Sequence, residues 1–276
     1  MKLALIDADS IYFRAACSCN SKRELRKKID SLMNEILFNC VTTKDNCMVA
    51  VKGKGNFRKD IYPDYKATRK PLDEKIAKNL NTGHEHMVKK WNAIEADGME
   101  ADDLVSIWAH EAKEKGIEYI ICGIDKDLKQ IVGLHYNFNK VEFDEVDEDK
   151  ANLCLMTQCL TGDRSDNIPG IKGVGPKTAE KILKDIPPES RWDTVKMTWH
   201  EKQAGDPTLS KRLLTMLTSW EEFEEITNDG KEDTPCEDKP ETSEREQNVC
   251  EEGEDDIQVE GLHDIPGDNP EPTTGD

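Results

Sequence analysis

The sequence predicts an α/β fold with a mostly parallel central sheet flanked by helices. Three observations point there: short apolar runs that stop at acidic or glycine turns, stretches of helical periodicity between them, and the alternation of the two over the first half of the chain. Leu3-Ala-Leu-Ile6 is the first run, stopped by Asp7-Ala-Asp9-Ser10, and reads as a buried strand running into a helix. The longer helix that follows carries Leu25, Ile29, Leu32 and Ile36 along one face. Met48–Val51 reads as a second strand. Residues 53–82 are dominated by Lys, Arg, Tyr, Pro and Gly and predict a long basic loop or arch, a length at which loops are usually functional.

A helix around His84–Trp91 and a short strand over Ala93–Ala96 come next. Glu100-Ala-Asp-Asp103 opens another helix, carrying Leu104, Ile107 and Trp108. Tyr119-Ile-Ile-Cys122 is a third strong strand and ends in Gly123-Ile-Asp125-Lys-Asp127. From Asn152 to Thr227 the pattern is helical, with a turn at Gly170-Ile-Lys-Gly-Val-Gly175-Pro176 and no solenoid repeat. The expected organisation is therefore a domain over 1–227, made of an α/β core (1–151, with the arch at about 53–82) and a helical region (152–227), then a tail over 228–276.

Charge separates that tail from the rest. It carries 18 acidic and 3 basic residues, a net of −15, which leaves 39 acids and 35 bases before it, a net of −4. It has no aromatic residue and no apolar periodicity, so it cannot bury enough surface to offset its ordering entropy and reads as disordered. The overall charge of −19 is thus no argument against nucleic-acid binding by the folded part. The nine cysteines have no CxxC pair and read as free thiols of a reducing compartment. No apolar stretch is long enough to span a bilayer, and the expectation is a cytoplasmic protein without membrane contact.

Four places put acids at strand ends or helix starts: Asp7 with Asp9; Glu100 with Asp102 and Asp103; Asp125 with Asp127; Asp163 with Asp166. Taken singly, each group suits helix capping and the helix dipole better than it suits metal binding. Taken together they do not, because neighbouring parallel strands lie about 5 Å apart and end on one edge of the sheet. So many carboxylates would repel one another without cations, and all-oxygen donors suit Mg²⁺ or Mn²⁺. Two such ions about 4 Å apart hydrolyse phosphodiesters, one activating water and the other stabilising the leaving oxygen.

The basic segment interleaves Lys52, Lys54, Arg58, Lys59, Lys66 and Arg69 with Phe57, Tyr62 and Tyr65, a mixture that suits a single-stranded backbone and its bases. Gly170-x-x-Gly173-x-Gly175-Pro-Lys177 leads into a helix, where glycines admit a phosphate close to backbone N–H groups and Lys172 and Lys177 add charge. A plain glycine turn between packed helices remains open at this stage.

The order of these motifs, Leu5-Ile-Asp-Ala-Asp9, Phe57-Arg58 with Tyr62-Pro-Asp-Tyr-Lys-Ala-Thr-Arg69, Gly98-Met-Glu-Ala-Asp-Asp103, Asp125-Lys-Asp127 and Thr161-Gly-Asp163 through Ala179, strongly resembles the 5′-nuclease family. That family includes bacteriophage 5′-3′ exonucleases, the 5′-nuclease domain of bacterial DNA polymerase I, and flap endonucleases. The resemblance runs to about Leu183. It implies a PIN-like domain with a helical arch and a helix-hairpin-helix-like DNA-binding element, often with bound K⁺. It further implies that Asp7, Glu100 and Asp102 hold one metal and Asp125, Asp127, Asp163 and Asp166 the other, with Asp103 as an outer partner. Arg58 and Lys66 resemble cations that polarise the reacting phosphate, and Tyr65 an aromatic that stacks a terminal base. Arg69, Gly170, Lys172, Gly173, Gly175 and Lys177 would contact DNA. Asp9 matches no firm role. One departure stands out: the family usually has an Asp after the second strand, where this chain reads Val51-Lys52-Gly53-Lys54.

The expected activity is metal-dependent hydrolysis of DNA at 5′ ends or single-strand/duplex junctions, by a monomer working in replication or DNA degradation, in an infected host cell if phage-encoded. A replication protein is a candidate partner for the acidic tail. The alternatives are a structure-specific DNA-binding protein with weak activity, favoured by Lys52, and a nuclease acting on RNA primers paired to DNA.

Overall fold

A computed structural model of the chain describes residues 2–228. The expected disordered tail, apart from Asn228, lies outside the described residues. Six strands form one sheet: β1 (Leu3–Asp7), β2 (Cys47–Lys52), β3 (Ile94–Ala96), β4 (Tyr119–Cys122), β5 (Gly133–Asn137) and β6 (Glu142–Val146), in the order β3-β2-β1-β4-β5-β6. The first five are mutually parallel, and β6 returns antiparallel on β5.

Both faces of the central strands are buried, which is why they read as unbroken apolar runs rather than alternating ones. Ala4, Ile6, Val49, Val51, Ile120 and Cys122 face one core with α1 (Asp9–Ser18), α2 (Lys22–Asn39) and α4 (Glu74–Trp91). Leu5, Ala50 and Ile121 face a second core built on α5 (Ala101–Glu114). This is the period-two alternation that a β backbone imposes. A third core joins α6 (Glu148–Thr161), α7 (Pro176–Leu183), α8 (Pro188–Glu201) and α9 (Thr208–Leu214), with Trp199 donating its indole N–H to the Cys159 carbonyl at 3.0 Å. The last helix, α10 (Trp220–Asn228), lays Phe223 against Phe57 and Gly98.

Several details differ from the sequence reading. α4 starts at Glu74, capped by Asp73, so the irregular basic segment is 53–73 and not 53–82. It contains a short helix α3 (Arg58–Ile61) and is pinned down: Lys66 N–H donates to the Asp166 carbonyl at 2.9 Å and the Asn167 amide to the Asp64 carbonyl at 2.9 Å. The buried stripe of α2 runs through Met33 and Leu37, while Leu32 is only partly covered. The β5–β6 hairpin was not expected. Among the described residues no helix is long and apolar enough to cross a membrane.

In this strand order the chain reverses direction across the sheet between β1 and β4, and a crevice forms outside the carboxyl ends at such a point. That is where Asp7 and the turn after Cys122 lie.

Candidate active site: a carboxylate cleft

Asp7 is the last residue of β1 and is 6% exposed. Its Oδ1 accepts the Asp9 N–H at 3.1 Å, which ties the strand end to the first turn of α1. Glu100 and Asp102 come from the start of α5, and Asp125 and Asp127 from the turn after β4, where Asp125 accepts the Asp127 N–H at 3.0 Å. The turn between α6 and α7 supplies Asp163 and Asp166, closed by paired Asp163–Ile168 backbone bonds of 3.0 and 2.7 Å. Asp7, Asp9, Glu100, Asp102, Asp125, Asp127, Asp163 and Asp166 all line one cleft of about 1080 Å³. Four segments far apart in sequence therefore converge.

The two walls of this cleft differ electrostatically. On the sheet side, burial and then repulsion from Asp9, Asp125 and Glu100 push the Asp7 carboxyl from 3.8 up to about 8. Asp102 is raised by burial, then by Asp103 and Glu100. Asp9 is raised by burial, against hydrogen bonds from Tyr12 and Lys52, and Asp127 rises to about 6 through burial and Asp125. On the facing wall, cations have already arrived. Lys126 Nζ lies 2.7 Å from Asp163, and with Ser165 it holds that carboxyl below its usual range despite burial. Arg69 reaches Asp166 at 2.6 Å, and Lys66 pairs with Glu100 and sits 3.6 Å from Asp166.

Among the described residues no trio of His, Cys, Asp or Glu is drawn together as a closed metal-binding group, since Glu100, Asp163 and Asp166 are turned onto these lysines and Arg69. The donor set itself fits hard divalent cations: it is all carboxylate oxygen, and the acids on the sheet side are held above their ordinary range by burial and by repulsion from one another.

The remaining site residues divide sharply. Lys66 lines the cleft and takes a left-handed backbone, φ +60°, a conformation a lysine adopts only where its surroundings impose it. Arg69 lines the cleft too. Arg58 does not. It is 3% exposed, grips Asp103 through two bonds of 2.5 and 2.9 Å, and donates to the carbonyls of Leu213 and Thr215 at 2.7 and 3.0 Å. The expectation that Arg58 faces the reacting phosphate is thereby corrected: the side chain is buried and four of its five N–H groups are spent inside the protein. Tyr65 is corrected as well, because its ring is 3% exposed in the helical core and offers no face to a base. Its hydroxyl instead bridges Glu100 at 2.9 Å and Asp166 at 3.2 Å. Asp103 is fully buried between Arg58 and the Leu217 N–H, and it also accepts the Glu100 N–H at 3.1 Å.

The glycine turn lies away from the cleft. Gly170 packs so closely on Thr161 that a Cβ would sit 2.1 Å from the Thr161 carbonyl carbon, so glycine is required there for packing. Lys172, Gly173, Gly175 and Lys177 are exposed, Gly173 has φ +85°, and Gly175 precedes α7 without a side-chain cap. Sequence reasoning missed Lys126, whose signal was its place between Asp125 and Asp127, and it offered Asp9 nothing firmer than a helix cap, although the N-cap of α1 is Ala8.

A family model described as the N-terminal resolvase-like domain of 5′-3′ exonucleases matches residues 2–154. DNA polymerase I of Caldicellulosiruptor bescii is 31% identical over 247 residues, covering 79% of this chain and 29% of the relative. Flap endonuclease Xni of Shewanella sp. (strain W3-18-1) is 32% identical over 139 residues, 47% of this chain and 53% of that protein. The chain spans less than a third of the DNA polymerase I relatives it matches. Among solved structures, the zinc-bound 5′-exonuclease of bacteriophage T5 shares the fold, with a TM-score of 0.62 at 18% identity over 83% of this chain and 98% of that one.

Proposed function

The chain belongs to the 5′-3′ exonuclease family, and from this premise we propose that it hydrolyses phosphodiester bonds of DNA at 5′ ends or single-strand/duplex junctions, using divalent metal ions held in the carboxylate cleft. One observation carries the reading: acids from β1, α5, the β4 turn and the α6–α7 turn line a single cleft at the sheet's switch point. Asp7, Glu100 and Asp102 would hold one ion and Asp125, Asp127, Asp163 and Asp166 the other, with Mg²⁺ as the ion and Mn²⁺ as its substitute. Bound there, such a pair supplies an activated water and a Lewis acid for the leaving oxygen.

The protein's own groups orient that chemistry. The Tyr65 hydroxyl holds Glu100 and Asp166 at fixed separation. Lys66, seated on the same two acids, is placed to transfer its ammonium to an incoming phosphate. Asp103 keeps Arg58 and the start of α5 in register, so that α3 and the segment behind it carry Lys66 into the cleft. Lys172 and Lys177, exposed near the start of α7, contact the duplex beyond the cleavage point, and a K⁺ ion at that turn belongs to the same reading. The DNA polymerase I relatives support a role in replication or DNA degradation. The chain works as a cytoplasmic monomer, in the infected host cell if it is phage-encoded, and the acidic tail is a candidate contact for a replication protein.

A labelled duplex with a 5′ overhang, incubated with Mg²⁺ or with EDTA, tests the reading. Cleavage with Mg²⁺ alone, lost in Asp125→Asn and Asp163→Asn while their folds stay intact, is expected. Full activity in EDTA would sink it.

A further inference from the structure

We propose that Asp9 is a ligand of the first metal position, supplied by the start of α1 where the carboxyl end of β2 provides Lys52 and no acid. This rests on the metal-dependent reading above and adds a residue to it.

The backbone sets up the substitution. Asp7 pairs with Ala50, so β2 runs two residues past the end of β1, and Lys52 comes to lie beside the first turn of α1. The residues there, Lys52-Gly-Lys54, carry no carboxylate. Asp9 reaches across instead: its Oδ1 accepts the Lys52 N–H at 2.8 Å and the Tyr12 hydroxyl at 2.7 Å. Two donors from two elements therefore fix one oxygen. Among the described residues none donates to Oδ2, in a side chain that lines the same cleft as Asp7, Glu100 and Asp102.

A capping role does not account for this arrangement. The N-cap position of α1 is Ala8, and no side chain caps that helix. A role as mere acceptor for Tyr12, which is 7% exposed and needs a partner for its hydroxyl, needs one oxygen and no charge. Of the cations that line the cleft, Lys66, Arg69 and Lys126 pair with Glu100, Asp127, Asp163 and Asp166, and Lys52, Lys54 and Lys59 form no ion pair with a carboxylate among the described residues. Asp7, Asp9 and Asp102 themselves form no ion pair with a lysine or arginine among the described residues, and a shared divalent ion would draw the three together.

The experiment is a titration of the full-length protein with Mn²⁺ alone, followed by electron paramagnetic resonance. Asp9→Asn keeps an acceptor for Lys52 and Tyr12 at nearly the same volume and removes the charge. The expected result is that one Mn²⁺ site weakens about tenfold or more, as loss of a ligand or its orienting partner does, while melting in EDTA is no lower than for the wild type. Adding Lys52→Asp to Asp9→Asn should recover most of the lost affinity, because it returns a carboxylate to the end of β2. Wild-type Mn²⁺ affinity at both sites in Asp9→Asn overturns the assignment while leaving the metal-dependent reading standing. A double variant as weak as the single overturns the claim of replacement. A wild-type protein that takes up no Mn²⁺ overturns both the assignment and the reading beneath it.

Discussion

Arg58 and Asp103 form a two-pronged ion pair in the protein interior, with bonds of 2.5 and 2.9 Å and neither residue more than 3% exposed. The pair links α3 to α5, and two further guanidinium N–H groups tie both to the carbonyls of Leu213, in α9, and Thr215, just after it. A charge buried this way is strongly bound to its partner and costly to leave alone. Arg58→Ala should therefore destabilise the fold by about 3–5 kcal/mol, because it strands Asp103 in the core. Urea denaturation measures this. Activity per folded molecule should fall far less than stability, and a variant as stable as wild type but without turnover would return Arg58 to the chemistry.

Lys66 is the contrasting case. It is anchored by Glu100, lies 3.6 Å from Asp166 and is held at φ +60° in the cleft. Lys66→Ala should lower turnover by about a hundredfold or more, the order reached when one preorganised transition-state donor is lost, with a much smaller change in DNA affinity. Single-turnover kinetics separates the two. A mutant that cleaves normally once saturated would make Lys66 a binding residue only.

These two cations show where the sequence was legible and where it was not. The strands β1, β2 and β4 could be read because their apolar runs are buried on both faces, and Asp7, Glu100, Asp102, Asp125 and Asp127 could be read because they end or follow a strand or open a helix, whereas Asp163 and Asp166 lie in a turn between two helices. Arg58 and Lys66 stand in the same basic, irregular segment, and nothing local distinguishes them. Burial of Arg58 is decided by Asp103, forty-odd positions away, and by carbonyls at the end of α9. Tyr65 was misread for the same reason, since its neighbours in the core come from α6 to α9. The β5–β6 hairpin escaped because four of the five β6 residues are exposed and β5 carries a buried histidine, His135, so neither strand shows a clean apolar pattern. Asp9 looked like a helix cap until the cap position proved to be Ala8.

The raised carboxyls of the sheet-side wall predict how stability depends on pH. Asp7 moves from 3.8 to about 8, chiefly through burial, so between those values the folded protein holds a proton that the unfolded chain has released. Stability must then fall as pH rises through that window. Asp127, at about 6, acts in the same direction over a narrower range. The melting temperature in EDTA should be lower at pH 8 than at pH 5, and Mn²⁺ should restore more of it at pH 8, where the acids have lost their protons. Asp7→Asn should flatten the slope. A melting temperature that climbs from pH 5 to pH 8 in EDTA would contradict the charge state assigned to this wall.

The exposed lysines at and just before the start of α7 should act on affinity alone. Lys172→Ala or Lys177→Ala should weaken duplex binding and reduce the salt slope by about one counterion each, with turnover at saturation nearly unchanged, since neither residue lines the cleft. Fluorescence anisotropy at several salt concentrations decides it. Affinity and slope equal to wild type in both variants would reduce the turn to a packing device, which the fit of Gly170 against Thr161 already requires it to be in part.

The acidic tail yields a prediction from charge alone. Residues 228–276 carry a net −15 against −4 for the rest of the chain, so at low ionic strength the tail should repel DNA or compete with it for the basic segment around Lys54, Lys59 and Lys66. A chain ending at Asn228 keeps all of α10, including the contact of Phe223 with Phe57, and should remain folded and active. It should bind DNA more tightly than the full-length protein at low salt. The difference should shrink as salt rises, because the screening length drops to about 10 Å at 0.1 M. A tail that does nothing but dock on a partner predicts no change in DNA affinity, and so does one that only keeps the protein soluble. Measuring both proteins at two ionic strengths separates these cases: equal affinity at low salt removes the electrostatic competition, whereas a gain confined to low salt establishes it.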